Sequence, residues 1–241
     1  MNNLPILLHY SIIDIFQVYK CKGSKIRLGS YGDGGYIISD EFNNYDFLLS
    51  GGFDNNLSFE KDFIKKYNVK CDIFDKEISK IDVPDGINFI NKYIDKNTLK
   101  PYFQIYDNMF LKLDIEGSEY EVFANLSRNE MKKIKQMTIE FHYILEKDKL
   151  NILNKINNTH WLIHVHPNTC SNIYNLEWID TFDKIHNIKL PDILEMTFIL
   201  RDHLELNNDE LPCNLDMKNG ESHRDNIDLN YYPFVTKKKI Y

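Results

Sequence analysis

Acidic residues follow an apolar segment of this chain at a point where side chains can do chemistry. Residues 110–115 form an apolar run that is typical of a buried parallel strand, and the run carries Asp114 near its end. Glu116 and Gly117 come next, and a helical pattern begins at Ser118. Because the carboxyl ends of strands line the ligand crevice of an open α/β sheet, Asp114 and Glu116 are candidate functional residues. The alternative is that they only cap the next helix.

Two later segments carry polar residues at a spacing of two. Glu140 and His142 lie in the predicted strand at residues 134–143, and His164 and His166 lie in the predicted strand at residues 161–166. Residues two apart in a strand project to the same side. If the predicted strands at residues 110–115 and 134–143 are parallel neighbours, Asp114 lies near Glu140 or His142. The alternative is that some of these histidines are hydrogen-bonded strand residues that pack against their neighbours.

This set of residues is suited to two chemistries. In the first, His142 or His164 is a general base, and Asp114 or Glu140 fixes its tautomer. In the second, these groups bind a divalent metal, Mg²⁺ or Mn²⁺, which holds acceptor oxygens and lowers their pKa. The chain has no HExxH-like motif, so the base interpretation is favoured and the metal interpretation stays open.

A second candidate site is the turn after the predicted strand at residues 45–50. Gly51 and Gly52 connect that strand to a helix beginning near Ser58, an arrangement that lets a ligand approach the backbone. The next strand ends at Asp75, where an acid accepts hydrogen bonds from ribose hydroxyls. We expect Asp75 and Asp114 on the same edge of the sheet, with open space beside Gly51.

A glycine-rich loop at residues 29–35 separates two short predicted strands. So many glycines favour unusual backbone angles or the close approach of a ligand. One interpretation is a plain β-hairpin turn. The other is that the loop folds over a cofactor or an acceptor, to which Arg27 and Tyr36 offer polar groups.

Length and charge limit the choice of function. The chain has 241 residues, 43% of them hydrophobic, which suits one α/β domain with an appendage. Its formal net charge of −7 argues against a nucleic-acid-binding enzyme. The cysteines form no CxxC pair, which disfavours a structural zinc site and suits a reducing cytoplasm. We expect no membrane span, and the tail Lys237 to Lys239 is too short to predict a membrane or nucleic-acid contact.

Three regions are predicted along the chain. Residues 1–24 form an N-terminal helical segment with an amphipathic helix over residues 4–18, residues 25–205 form the main domain, and residues 206–241 form a C-terminal extension packed on it. The predicted strands are residues 26–28, 36–38, 45–50, 69–75, 87–90, 110–115, 134–143, 161–166 and 193–200.

Over residues 25–205 the chain resembles the FkbM-like S-adenosylmethionine-dependent methyltransferases. The resemblance rests on LKLDIEGSEYEVF, IEFH, DGGY and PDILEMTFI. It implies an α/β fold with a Rossmann-like class I methyltransferase sheet, mostly parallel, with an antiparallel terminal pair and helices on both faces. It also implies S-adenosyl-L-methionine as cofactor and methyl transfer to a small acceptor, often a sugar hydroxyl.

Together these arguments predict a cytoplasmic methyltransferase that acts on oxygen of a small polar acceptor, such as a sugar, a nucleotide-activated metabolite or a surface-polysaccharide precursor. The alternatives are an NAD-dependent oxidoreductase, which the missing third glycine of GxGxxG disfavours, and a non-catalytic nucleotide-binding module. The acceptor and the oligomeric state are not predicted. The catalytic candidates are Asp114, Glu140, His142 and His164. The cofactor-binding candidates are Tyr36, Gly51, Gly52, Asp54, Ser58, Asp75 and Asp114.

Overall fold

The structure is a computed structural model that describes residues 6–8, 14–79, 81–169, 171–179, 185–219, 227–231 and 233–235. Its strands are β1 (Ile6–Leu8), β2 (Tyr19–Cys21), β3 (Lys25–Gly29), β4 (Gly35–Ser39), β5 (Phe47–Gly51), β6 (Lys70–Phe74), β7 (Ile87–Ile90), β8 (Met109–Leu113), β9 (Ile134–His142), β10 (His160–Pro167), β11 (Ile173–Ile179), β12 (Ile185–Pro191), β13 (Ile193–Leu200) and β14 (Leu204–Asn208). Its α-helices are α1 (Ser58–Tyr67), α2 (Lys96–Ile105), α3 (Glu119–Asn125), α4 (Arg128–Met131) and α5 (Lys147–Asn157).

A seven-stranded sheet in the order β7-β6-β5-β8-β9-β13-β10 forms the centre of the fold. Strands β5 to β9 run parallel, whereas β13 is antiparallel to both of its neighbours, β9 and β10. The chain order reverses between β5 and β8, and ligands of open α/β sheets bind at such a switch point. The predicted mostly parallel sheet with an antiparallel terminal pair is confirmed.

Apolar side chains cover both faces of the sheet. On one face, α2, α3 and α5 contribute Leu99, Phe103, Val122, Phe123, Leu150 and Leu153 to a buried cluster. On the other face, Phe59 and Phe63 of α1 pack with Ile38 of the β3–β4 hairpin. Strands that are buried on both sides are apolar along most of their length, which explains the near-continuous apolar runs of the sequence. The predicted helices on both faces are confirmed.

The hairpin face also buries a row of polar residues that crosses five strands. Lys112 of β8 pairs with Ser50 of β5 and Thr138 of β9, and Thr197 of β13 pairs in turn with Thr138 and with His164 of β10. All five are buried. The hairpin satisfies part of this row, because the hydroxyl of Thr197 donates a 2.7 Å hydrogen bond to the carbonyl of Ile37. The next row, nearer the carboxyl edge, contains the functional candidates.

The N-terminal helix predicted for residues 1–24 is wrong where the chain is described. Residues Ile6–Leu8 and Tyr19–Cys21 are strands, and Asp14–Phe16 is a short 3₁₀ helix. The backbone is held by distant segments instead, since β1 pairs with β11 and β2 pairs with β14. These long-range pairings outweigh the local helical pattern of apolar residues.

Several elements were not predicted. Strands β11 and β12 form an antiparallel hairpin that joins β1 in a three-stranded sheet, within a region for which no strand was expected. Helix α2 was also missed; it begins with a capping box at Asp95 and contains Pro101. Cys170 and the lysines at 237–239 lie outside the described residues, and the division into three regions stays a prediction.

Candidate active site

Three predicted residues converge at the carboxyl edge of the sheet. Asp114 follows β8, and Glu140 and His142 lie in the last part of β9, the parallel neighbour of β8. One oxygen or nitrogen atom from each of the three lies within 4.8 Å of the others. Asp75 follows β6, which runs parallel to β5 and therefore ends at the same edge. The geometry thus matches the expectation that these acids share one side of the sheet.

The carboxylate that orients His142 is Glu119, which the sequence analysis did not select. The Oε1 atom of Glu119 lies 3.2 Å from Nδ1 of His142 and accepts hydrogen bonds from the backbone amides of Ile115 and Gly117, both at 3.1 Å. Glu119 is fully buried at the start of α3. An ionised carboxylate only accepts hydrogen bonds, so the proton of the neutral imidazole lies on Nδ1 and Nε2 has a free lone pair. Asp114 and Glu140 had been expected in this role.

The free nitrogen of His142 faces further carboxylates. Nε2 lies 3.4 Å from Oε2 of Glu116 and 3.7 Å from Oε1 of Glu140. Burial disfavours the charged imidazolium, but the hydrogen bond with Glu119 and the charges of Glu119 and Glu116 more than compensate, so the pKa of His142 is raised. The raised pKa makes His142 a stronger base than a free imidazole.

Asp114 and Glu140 are held by neutral donors. The hydroxyl of Tyr36 donates to Oδ2 of Asp114 at 3.2 Å, and the side-chain amide of Asn168 donates to Oε1 of Glu140 at 2.9 Å. Burial raises the pKa of both carboxyl groups, and the proximity of Asp114 and Glu195 raises that of Glu140 further. Protonation or a bound cation relieves such repulsion between buried acids.

A buried lysine lies beneath the part of the carboxyl edge that holds Asp114, Glu140 and His142, which we call the rim. Nζ of Lys112 is 3.4 Å from Oε1 of Glu60 and 3.4 Å from the carbonyl oxygen of Gly52. Burial lowers the pKa of Lys112, but the charges of Glu60 and Asp114 outweigh this effect and the pKa is raised overall. Lys112 is therefore a buried cation that contacts the glycine turn. The sequence analysis did not select Lys112 as a functional residue.

The glycine turn is closely packed. A Cβ atom on Gly51 would lie 2.9 Å from side-chain carbons of Ile94 and Leu113, so the open space expected beside Gly51 is absent and hydrocarbon fills it. A Cβ atom on Gly52, whose φ is +86°, would lie 1.7 Å from the carbonyl oxygen of Asp114. Both glycines are thus explained by packing. Their role in cofactor binding stays a prediction, and any contact would involve their backbone atoms.

Asp75 holds the backbone around the same turn. Its Oδ2 accepts a 3.0 Å hydrogen bond from the amide of Phe53, and its Oδ1 accepts from the amides of Glu77 and Ile78 at 2.7 and 3.1 Å. Each carboxylate oxygen has two acceptor positions, so Oδ2 can accept one more hydrogen bond from a ribose hydroxyl. Asp54 is exposed on the same loop.

The glycine-rich loop of the β3–β4 hairpin is fastened beside this turn. The hydroxyl of Ser58 accepts a 2.9 Å hydrogen bond from the amide of Ser30, and the guanidinium of Arg27 donates to the carbonyls of Ser30 and Gly32 at 3.2 and 2.6 Å. Ser58 therefore anchors the loop to the start of α1. With the contact between Tyr36 and Asp114, this places the hairpin against the candidate site.

His164 lies apart from these residues. It belongs to β10, which is separated from β9 by β13, and its Nε2 is 3.1 Å from Oδ1 of Asp216. Its complete burial lowers its pKa. Of the two histidines proposed as a base, only His142 joins Asp114 and Glu140 within the part of the chain that is described.

Comparison with known proteins identifies a family. The family model described as the methyltransferase FkbM domain matches residues 53–203, which is more than half of the chain. No curated protein matches the sequence. None of the helices in the described ranges has both the length and the apolar character needed to cross a bilayer.

Proposed function

Because the chain belongs to the FkbM methyltransferase family, we propose that it transfers a methyl group from S-adenosyl-L-methionine to a hydroxyl oxygen of a small polar acceptor. The acceptor class is a sugar, a nucleotide-activated sugar or a related precursor of surface polysaccharide. The observation that carries the choice of oxygen is the Glu119–His142 pair, whose Nε2 faces the rim next to Asp114 and Glu140. A hydroxyl nucleophile needs such a base, since its own pKa is far above neutral.

His142 acts as the general base. When bound, S-adenosyl-L-methionine supplies a methyl group on a positively charged sulfur that is already activated for displacement. Nε2 would take the proton of the acceptor hydroxyl, and the hydroxyl oxygen would gain the methyl group as the bond from the methyl carbon to sulfur breaks and neutral S-adenosylhomocysteine leaves. The resulting imidazolium is stabilised by Glu119 at Nδ1 and by Glu116 at Nε2. Holding the acceptor in line accounts for much of the remaining acceleration.

The cofactor would lie along the turn that follows β5. Asp75 keeps one acceptor position for a ribose hydroxyl, and Asp54 and Ser58 border the same loop. Tyr36 and Asp114 form the boundary toward His142. Calorimetric titration of S-adenosyl-L-methionine into the wild type and Asp75→Ala tests this assignment, with weaker binding expected for the variant. An equal dissociation constant for both proteins would remove Asp75 from the cofactor site.

A second candidate mechanism uses a divalent metal. Asp114, Glu140 and His142 form the group whose ligand atoms lie within 4.8 Å. Glu119 at Nδ1 is the partner that metal-bound histidines usually have. Mg²⁺ or Mn²⁺ bound there would polarise the acceptor oxygen instead of leaving its proton to Nε2. Turnover that is lost with a chelator and restored by Mn²⁺ would replace the base mechanism with this one.

The proposed location is the cytoplasm. Cys21, Cys71 and Cys213 are free thiols, which suits a reducing compartment. The net charge of −7 supports a small-molecule acceptor rather than a nucleic acid. Activated sugars and S-adenosyl-L-methionine would both be available to an enzyme in this compartment.

Methyl transfer can be tested with a defined panel. The purified protein is incubated with S-adenosyl-L-methionine and free hexoses, 6-deoxyhexoses or nucleoside diphosphate sugars, and methylated products are sought by mass spectrometry. We expect a methylated sugar from the wild type and none from His142→Gln. His160→Gln is the matched control, since His160 is also buried but bonds the carbonyl of Ile134 at 2.7 Å, away from the rim. Absence of any methylated product, or a change in nicotinamide absorbance with NAD, would contradict the proposal.

A further inference from the structure

Two residues beside the proposed base have a backbone conformation that non-glycine residues rarely adopt. Glu116 has a φ of 55° and Tyr143 has a φ of 54°. Glu116 lies in the turn after β8, and Tyr143 directly follows His142 at the end of β9. This conformation is unfavourable for a bulky residue, and such strain is common where function requires a given side-chain position.

Tyr143 is about half exposed, and its ring contacts Lys149 and lies near Gly117. The residue is 53% exposed, although it follows a strand that is buried along nearly all of its length. Nζ of Lys149 lies 4.6 Å from the ring centroid, and a Cβ atom on Gly117 would lie 3.6 Å from the ring edge. The ring centroid is 6.2 Å from that of the His142 imidazole, with an interplanar angle of 49°. The structure thus holds a half-exposed aromatic ring beside the base, with the ammonium group of Lys149 near one of its faces.

Glu116 lies at the solvent side of the same nitrogen. Its side chain is 87% exposed, and its Oε2 is 3.4 Å from Nε2 of His142. Glu140, on the inner side of Nε2, is only 7% exposed. A molecule arriving from solvent therefore reaches Nε2 past Glu116 and the neighbouring ring of Tyr143.

We propose that Tyr143 and Glu116 form the acceptor subsite and select a six-membered sugar ring. The apolar C–H face of the sugar packs on the exposed ring of Tyr143, since aromatic rings have a negative face that attracts such hydrogens. The carboxylate of Glu116 accepts a hydrogen bond from one hydroxyl while the neighbouring hydroxyl reaches Nε2 of His142. This inference rests on the proposed methyl transfer to oxygen and names the residues that recognise the acceptor.

The test separates recognition from stability. Tyr143→Asn removes the ring but tolerates the left-handed conformation, whereas Tyr143→Phe keeps the ring. With the best hexose or nucleoside diphosphate hexose from the panel, we expect Tyr143→Asn to raise the acceptor KM about tenfold, and Tyr143→Phe to stay within about twofold. The dissociation constant for S-adenosyl-L-methionine should not change in either variant. The melting temperature of Tyr143→Asn should equal or exceed that of the wild type, because the strained aromatic residue is gone.

The outcomes distinguish this inference from the proposed function. If Tyr143→Asn melts several degrees lower and keeps the wild-type KM, the ring is a structural residue and the subsite is refuted, while methyl transfer stands. A parallel measurement uses the protein loaded with S-adenosylhomocysteine and methyl α-glucopyranoside, with saturation-transfer NMR as the readout. We expect transfer to the C–H protons of the sugar face in the wild type and its loss in Tyr143→Asn. Equal transfer in both proteins would also overturn the subsite.

Discussion

Replacing Glu119 by glutamine should weaken the base function of His142 without changing its tautomer. Oε1 of Glu119 accepts from two backbone amides at 3.1 Å as well as from Nδ1. An NH₂ group at that position would face two N–H donors, so the glutamine oxygen must occupy it. The oxygen then still accepts from Nδ1, and Nε2 keeps its lone pair. What is lost is the negative charge that stabilises the imidazolium.

The size of the effect follows from the difference between two kinds of hydrogen bond. A hydrogen bond to a charged group contributes about 1.5–3 kcal/mol, and a neutral one contributes about 0.5–1.5 kcal/mol. Glu119→Gln should therefore destabilise the imidazolium by about 1–1.5 kcal/mol, which lowers kcat about five- to tenfold. Glu119→Ala removes the acceptor altogether and should reach the roughly 10²- to 10⁴-fold loss typical of a missing general base. It also leaves two partly buried amides without a partner, so it should unfold more easily than Glu119→Gln.

The assay combines NMR with rate measurement. The ring protons of His142, assigned with His142→Gln, are followed against pH in the wild type and in Glu119→Gln. Because Glu119 raises the pKa of His142, its neutralisation should move the titration of His142 to lower pH. The rising limb of kcat/KM against pH should move in the same direction. If Glu119→Gln leaves both curves in place, Glu119 does not act on the base and the proposed pair is wrong.

Three further predictions concern packing, a buried ion pair and pH. Gly52→Ala should prevent folding, whereas the matched Gly86→Ala, with a φ of +88° and its nearest neighbour at 3.4 Å, should lose only about 1–2 kcal/mol in a denaturant titration. Lys112→Met should lower the free energy of unfolding by roughly 3–5 kcal/mol because buried Glu60 loses its charged partner and is left with the neutral hydroxyl of Ser50. Glu60→Gln in the same chain should restore most of this loss. An undiminished loss in the double variant would show that the charge pair is not the cause. Burial lowers the pKa of His160 to about 4, below its value in the unfolded chain. Lowering the pH from about 6.5 toward 4 should therefore reduce the free energy of unfolding by up to roughly 3 kcal/mol. His160→Gln should remove this slope, and a flat profile in the wild type would refute the prediction.

The sheet could be predicted because its information is local. Apolar runs bounded by glycines or acids mark the strands that became β5, β6, β8 and β9, and their parallel order follows from the helices between them. The N-terminal segment could not be predicted in this way. Its backbone hydrogen bonds join residues far apart in sequence, since β1 pairs with β11 and the amide of Val18 donates to the carbonyl of Phe234 at 2.9 Å. No local pattern contains that information.

The same distinction between local and long-range information applies to the candidate site. The convergence of Asp114, Glu140 and His142 follows from the two-residue period of β9 and its position beside β8. His164 obeys the same period, yet the insertion of β13 between β9 and β10 separates it from the others. The two-residue period predicts which face of the sheet a side chain lies on. Which strand lies next to it depends on the path of the whole chain.

Glu119 and Lys112 escaped prediction because each fits a common structural pattern. An acid in the first turn of a helix is normally explained by the helix dipole, and a lysine between two leucines by a strand with one wet face. Here α1 and the β3–β4 hairpin cover that face, so Lys112 is buried against Glu60. Glu119 likewise turns inward, where two amides and an imidazole share one of its oxygens. A buried charge requires a partner. In this fold Lys112 is paired with Glu60 and contacts the carbonyl of Gly52, and Glu119 is paired with His142 itself.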